Sequence, residues 1–294
     1  MKRVIESKRF RVEENNYVEL SVFSTEIKPV YQSSSHYKEL LADHIRCMRS
    51  YQEKLYSSNK HSVLLIFQAM DAAGKDGAIE HVMSGVNPQG CQVFSFKQPS
   101  RIELKHDFLW RSSLCLPQLG HIGIFNRSYY EDVLIAKIHT DRLMNVSADN
   151  DMYRDPLIWE GRYHSIRDHE KHLNKNGTRI IKIFLHMSEA EQKKRFIARI
   201  ENPNKSWKFR PEDLEERKFW RQYMAAYEQC FKATSSDFAP WYIVPADDKK
   251  NARLIVSQIF CDALKDLNLS FPILSEKRRK ELLKTRDYLM NMVD

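Results

Sequence analysis

The chain has 294 residues, 42% of them hydrophobic and 29% charged, which suits one large α/β domain or two small ones and excludes wholesale disorder. With only 8 Gly and 10 Pro, a loop-rich all-β fold is disfavoured. A net charge of +8 favours an anionic partner, whether nucleic acid, a membrane surface or a phosphorylated substrate, with a generic solvated basic surface as the alternative.

Cys47, Cys91, Cys115, Cys230 and Cys261 are scattered and form no C-x-x-C pair, which predicts reduced thiols in a cytoplasmic protein. The opening Met-Lys-Arg-Val-Ile-Glu-Ser-Lys carries no apolar signal region, and no apolar run has membrane-spanning length, so no membrane partner is expected.

In chain order, a mixed polar arm over 1–35 precedes a helix over 36–58, where Leu40, Leu41, Ile45, Met48 and Leu55 share one face. A buried strand is predicted at 62–67 and a helix at 75–85. Asn87-Pro88-Gln89-Gly90 marks a turn, followed by a strand at 91–97 and a helix at 101–114. The third strand, His121–Phe125, runs into Asn126-Arg127-Ser128, and a helix then carries Tyr129, Tyr130, Glu131 and Asp132. A long helix over 156–175 is closed by Asn176-Gly177, and Arg179–His186 is the strongest strand. Ser188 with Glu191 three positions on is a capping box opening the next helix. Pro203 and Pro211 bracket a basic loop, followed by a helix at 212–233, a last strand at Trp241–Val244 and a helix at 249–266. A charged helix at 275–292 closes the chain. Strands alternating with helices imply right-handed βαβ crossovers and a parallel sheet.

Three constellations carry chemistry. The first is Val63–Gly77, an apolar run feeding a small-residue loop that delivers Gly74-Lys75 to a helix start. Backbone N–H groups of Ala72, Ala73, Gly74, Asp76 and Gly77, with the Lys75 ammonium, would cradle an anion there. The loop departs from G-x-x-x-x-G-K-[ST] by placing Ala69 at the first glycine and Asp76 at the hydroxyl position. Asp71 adds a second carboxylate, repulsive to a bare polyanion but a ligand once Mg²⁺ bridges them. The alternative is an ordinary strand–turn–helix with a chance Gly-Lys.

The second, Asn126-Arg127-Ser128-Tyr129-Tyr130-Glu131-Asp132, sits at the carboxyl end of a strand, where open α/β sheets bind ligands. Asn126 stands where phosphate-loop proteins often carry an acid, and Glu131, little more than one helical turn on, could supply the missing charge. Glu131 and Asp132 equally suit a helix N-terminus. The third is basic: Arg195, Arg199, Lys205, Lys208 and Arg210, with Trp207 among them, reads as a lid over phosphates or as a solvated helix and loop. Lys97, Arg101, Lys105 and Arg111 are further candidates for an acceptor phosphate, while Leu109 and Trp110 suit the core. His164, His169 and His172 share one helix, as a metal site or as surface and core histidines.

Together these motifs resemble the polyphosphate kinase type 2 family. Gln68-Ala69-Met70-Asp71-Ala72-Ala73-Gly74-Lys75-Asp76-Gly77 and Phe125-Asn126-Arg127-Ser128-Tyr129-Tyr130-Glu131-Asp132 carry the resemblance. Asn202–Lys208, Asp213-Leu214-Glu215-Glu216-Arg217 and Pro245-Ala246-Asp247-Asp248-Lys249 extend it over most of residues 40–267. The resemblance implies an α/β, thymidylate-kinase-like P-loop kinase fold in three layers, with a parallel sheet and a helical lid. Residues 1–60 would be arm and helix, 61–267 the kinase-like domain with its lid at about 188–222, and 268–294 a helical tail. It implies reversible Mg²⁺-dependent phosphoryl transfer between inorganic polyphosphate and nucleotides, in the subgroup acting on AMP and ADP, with guanine nucleotides (GMP, GDP) as further acceptors. Asp71 would bind Mg²⁺, with Glu131 as second ligand, while Lys75 would hold the transferring phosphate and Arg127 contact phosphates. A homo-oligomer, dimer or tetramer, is expected, and no nucleic acid. The rivals are an ATP-dependent nucleotide kinase and a nucleic-acid-binding protein.

Overall fold

A computed structural model describes residues 5–139, 155 and 157–292. Among these, a six-stranded sheet has the order β1-β6-β5-β2-β4-β3. The strands are β1 Arg11–Val12, β2 Ser62–Ala69, β3 Cys91–Ser95, β4 Ile122–Asn126, β5 Thr178–His186 and β6 Trp241–Pro245. β2 to β6 pair in parallel, and β1 alone runs antiparallel, against β6. Every residue of β2 is buried, as its unbroken apolar run requires of a central strand covered on both faces.

The helices are α1 Ser34–Ser58, α2 Lys75–Met83, α3 Trp110–Ser113, α4 Glu131–Ile138, α5 Leu157–Lys175, α6 Glu189–Glu201, α7 Pro211–Arg217, α8 Trp220–Thr234, α9 Lys249–Asp266 and α10 Glu276–Met290. α1, α2 and α9 cover one face around Met48, Leu65, Ile183, Ile255 and Phe260. α4, α5 and α8 cover the other around Leu64, Phe125, Ile166, Phe184 and Phe231. The result is the three-layer α/β architecture expected of the sequence. No helix of the described residues is long and apolar enough to cross a membrane.

The register positions the site. Phe67 lies opposite Asn126 and Ala69 opposite Leu185, so the segments leaving β2 and β4 emerge side by side at the carboxyl edge.

Several predicted elements change. The helix expected at 101–114 is a 3₁₀ turn at Glu103–Lys105 and the single turn α3. Ser100 and Glu103 form a capping box, each side chain accepting the other's backbone N–H, and open a helical turn that does not continue: Leu109 N–H donates to the Asp107 carboxylate and not to a carbonyl one turn back. The helix expected at 212–233 is broken into α7 and α8 at Lys218–Phe219, with no Gly or Pro to announce it. Residues 5–33 of the arm are mostly irregular, yet they contribute β1 and bury Ile5, Val12, Val18 and Leu20 in the two core clusters. Pro156, the expected first residue of α5, lies outside the described residues.

Candidate active site

The loop after β2 turns on two left-handed residues, Ala72 at φ +64° and Gly74 at φ +99°, and delivers Lys75 to the first turn of α2. A Cβ at Gly74 would meet only ordinary contact with Arg195, so the positive φ is what calls for glycine there. Lys75 is buried and its Nζ donates to the Ala69 carbonyl at 2.8 Å. Burial, followed by the nearby Arg127 cation, pulls its ammonium down to about 8, against the opposing pull of Asp71, Glu131 and Asp76.

Beside it, the turn after β4 holds Arg127 at φ +65°, an uncommon conformation for a side chain of this size. Its backbone N–H donates to the Phe67 carbonyl at 3.0 Å, tying the turn to the end of β2. Its guanidinium donates to Asp71 Oδ1 at 2.9 Å and lies 3.6 Å from Glu131 Oε2. Glu131 is largely buried, and burial raises its carboxyl above the usual range against the counter-pull of Arg127 and Lys75. Asn126 donates its amide to Asp76 Oδ1 at 2.8 Å. Two cations and two carboxylates from separate strand ends thus converge around one helix N-terminus, a constellation suited to transferring phosphates.

The chain matches the family model "Polyphosphate kinase 2 (PPK2)" over residues 31–272. It belongs to the polyphosphate kinase 2 family. Among curated proteins it is 55% identical to an ADP-polyphosphate phosphotransferase of Rhodopseudomonas palustris, over 97% of this chain and 99% of that one. It is 40% identical to an AMP/ADP-polyphosphate phosphotransferase of Meiothermus ruber, over 90% and 95% of the two chains. Among solved structures, polyphosphate kinase 2 from Arthrobacter aurescens TC1 superposes with a TM-score of 0.84 at 38% identity, covering 95% of this chain and 96% of that one.

In this polyphosphate kinase 2 chain, the basic segment after β5 reaches back to the loop. Lys208 Nζ lies 3.9 Å from Asp76 Oδ2, Arg199 lies 3.8 Å from Asp213 Oδ2, and Lys205 is exposed. Arg195 behaves differently from its expected role as a lid arginine open to ligand. It is buried and donates to the carbonyls of Ala72 (3.2 Å), Ala73 (2.8 Å), Ala246 (2.6 Å) and Asp247 (3.0 Å), with its Nε on Glu191 at 2.8 Å. It braces the loop from behind, because the i, i+4 spacing that pairs it with Arg199 does not reveal which residue faces the sheet.

Arg111 needs a similar correction. It is buried, donates to the Lys97 carbonyl at 2.8 Å, lies 3.7 Å from Asp132 and covers the ring of Phe96. Lys97, Arg101 and Lys105 remain exposed, the last two off any α-helix. His164 is exposed and His169 half-buried, and no group of three or more metal-ligating side chains occurs among the described residues.

Sequence reasoning missed Gln192, whose amide donates to the Asp71 carbonyl at 3.0 Å, and Arg217, which donates to Gln192 Oε1 at 2.7 Å. A lone glutamine on an amphipathic helix gives no signal. Arg217 lay inside a matching segment, but its partner on α6 was not legible. Gln68, fully buried, donates to Ser128 Oγ at 3.3 Å while its Oε1 has no protein partner.

Proposed function

We propose that the protein transfers the terminal phosphoryl group of inorganic polyphosphate to a nucleoside diphosphate, and to a monophosphate as a second acceptor, in a Mg²⁺-dependent reaction. The observation that carries this reading is the convergence of Lys75, Arg127, Asp71 and Glu131 at the loop, in a chain 55% identical to an ADP-polyphosphate phosphotransferase. The residues fit a magnesium ion. Asp71 and Glu131 flank one guanidinium at the phosphate loop, and these two carboxylates would hold a hard divalent cation. When bound, the ion would neutralise charge on the transferring phosphate.

The chain's own groups do the rest. The terminal phosphorus of the donor loses its bond to the bridging oxygen and gains one to an acceptor phosphate oxygen, so no nucleophilic side chain is needed. Lys75 and Arg127 hold the equatorial oxygens, and backbone N–H groups at the start of α2 receive the chain. Lys205 and Lys208 would bring the donor down onto Asp76's side of the loop. Guanine acceptors, reversibility, cytoplasmic location and assembly as a dimer or tetramer belong to the same proposal.

A coupled assay of the purified protein with polyphosphate, MgCl₂ and ADP, AMP, GDP or GMP in ATP-free buffer tests it. Formation of ATP from ADP is the expected result. Phosphorylation only when ATP replaces polyphosphate would overturn it in favour of an ATP-dependent kinase. Light scattering gives the assembly state.

A further inference from the structure

Between Arg127 and Glu131 lie Ser128, Tyr129 and Tyr130, all fully buried. Beneath them is a charged pair without any solvent contact: Lys182 in the middle of β5 and Glu170 on α5, both 0% exposed, with Lys182 Nζ 2.6 Å from Glu170 Oε2. Glu170 Oε1 accepts both tyrosine hydroxyls, at 2.9 Å from Tyr129 and 2.8 Å from Tyr130. Lys182 donates also to the Tyr130 hydroxyl (3.1 Å) and to the Thr234 carbonyl (2.7 Å), and its Nζ lies 5.5 Å from the centre of the Tyr130 ring and 5.4 Å from that of Trp241. All three ammonium donors and both carboxylate oxygens therefore have partners.

Stability alone is a poor reason for such a pair. Taking both charges out of water costs several kcal/mol, and apolar residues of the same volume often serve as well or better. What an apolar filling cannot do is fix the direction of two hydroxyls. The turn above needs fixing, because Arg127 is held at φ +65° and would relax if its flanks were loose. Arg127 and Glu131 are the two ends of the segment that the tyrosines anchor.

We propose that Glu170 and Lys182 are positioning residues for phosphoryl transfer: by clamping the Tyr129 and Tyr130 hydroxyls they hold Arg127 and Glu131 in register with Asp71 and Lys75. The proposal rests on the transfer activity inferred above, and wild-type activity with polyphosphate and ADP is the control that tests that activity by itself.

The decisive variant is Glu170→Leu with Lys182→Met, which removes both charges together and leaves no buried ion alone. Its melting temperature should fall by a few degrees, because the buried Tyr129 and Tyr130 hydroxyls and the Thr234 carbonyl lose their partners, while kcat should fall by about 10²-fold, the typical cost of a misplacement near 1 Å. KM for polyphosphate should move less than kcat, because the basic lid and loop amides remain. A structural role alone would leave kcat unchanged in whatever fraction folds. If the double variant does not fold, Tyr129→Phe with Tyr130→Phe keeps the ion pair and removes only the clamped hydroxyls. It should show the same split between kcat and KM at a smaller size. A folded variant of either kind with wild-type kcat, beside an active wild type, overturns the clamp.

Discussion

At the scale of single residues, the loop concentrates its chemistry in Lys75 and Asp71. Lys75→Ala should lower kcat by about 10²–10³-fold, the cost of removing one preorganised donor from a developing anion, with an unchanged circular dichroism spectrum. A folded Lys75→Ala protein with normal turnover would remove the residue from the mechanism. The titration of Lys75 adds a sharper test. Burial and Arg127 hold the free ammonium at about 8, and a bound polyanion would raise it. Binding therefore takes up a proton; affinity is complete below pH about 8 and is lost as pH rises from there through the bound value. KM for polyphosphate should climb above pH about 8, and calorimetry at that pH in buffers of different ionisation enthalpy should report proton uptake. Release of protons would reverse the sign and the assignment. Asp71→Asn should weaken the response to MgCl₂, shifting its midpoint to higher concentration, because a bridging cation is what makes a carboxylate favourable beside phosphates. An unchanged magnesium titration would leave Asp71 only as the partner of Arg127, at 2.9 Å.

Among elements, α6 shows how one helix serves two ends. Arg195 on its buried side binds four carbonyls of the loop and of the Ala246-Asp247 turn, whereas Arg199, one turn on, faces the basic segment. Arg195→Met should leave these carbonyls without their partner, at a cost on the order of 3 kcal/mol, and the melting temperature should fall by roughly 5–10 °C. An unchanged melting temperature would mean that water replaces the guanidinium at no cost. Lys205 and Lys208 lie exposed on the segment between α6 and α7, and should matter for substrate instead. Replacing both by Ala should raise KM for polyphosphate more than KM for nucleotide, with an effect that fades as salt screens exposed charge over about 8–10 Å. Equal polyphosphate KM at low salt would move the donor chain toward Lys97, Arg101 and Lys105.

For the molecule as a whole, the sheet core and its covering helices form the body, and residues 271–292 lie exposed outside it. α10 has no buried residue, and Ile273 before it is 96% exposed. Removing residues 271–294 should leave the melting temperature of the remaining chain within about 2 °C, since exposed helix contributes little to the core. A larger drop would show that the tail is covered in solution.

What could be read without coordinates was whatever depends on local chemistry. The apolar run of β2, the small-residue loop with Gly74-Lys75, the Asn126–Asp132 motif, the N-cap at Ser188 and the strand–helix alternation each carry a local reason for their conformation, so family and architecture were legible; the expected capping box forms only by its Ser188 half, since Ser188 N–H donates to Asp247 and the Glu191 carboxylate pairs with Arg195. The tertiary structure alone decided which charges face the site. Arg195 and Arg199 share one helical period, yet one is buried under the loop and the other is not, because neither spacing nor composition encodes the rotation of a helix against the sheet. Arg111 reads like a phosphate ligand but closes on the Lys97 carbonyl and Asp132, partners from two other segments that only the tertiary structure brings to it. The Glu170–Lys182 pair joins residues on two separate elements, and Tyr129 and Tyr130 come from a third. No local pattern could announce it, since a charged residue in an apolar strand acquires meaning only from the partner that folding brings to it.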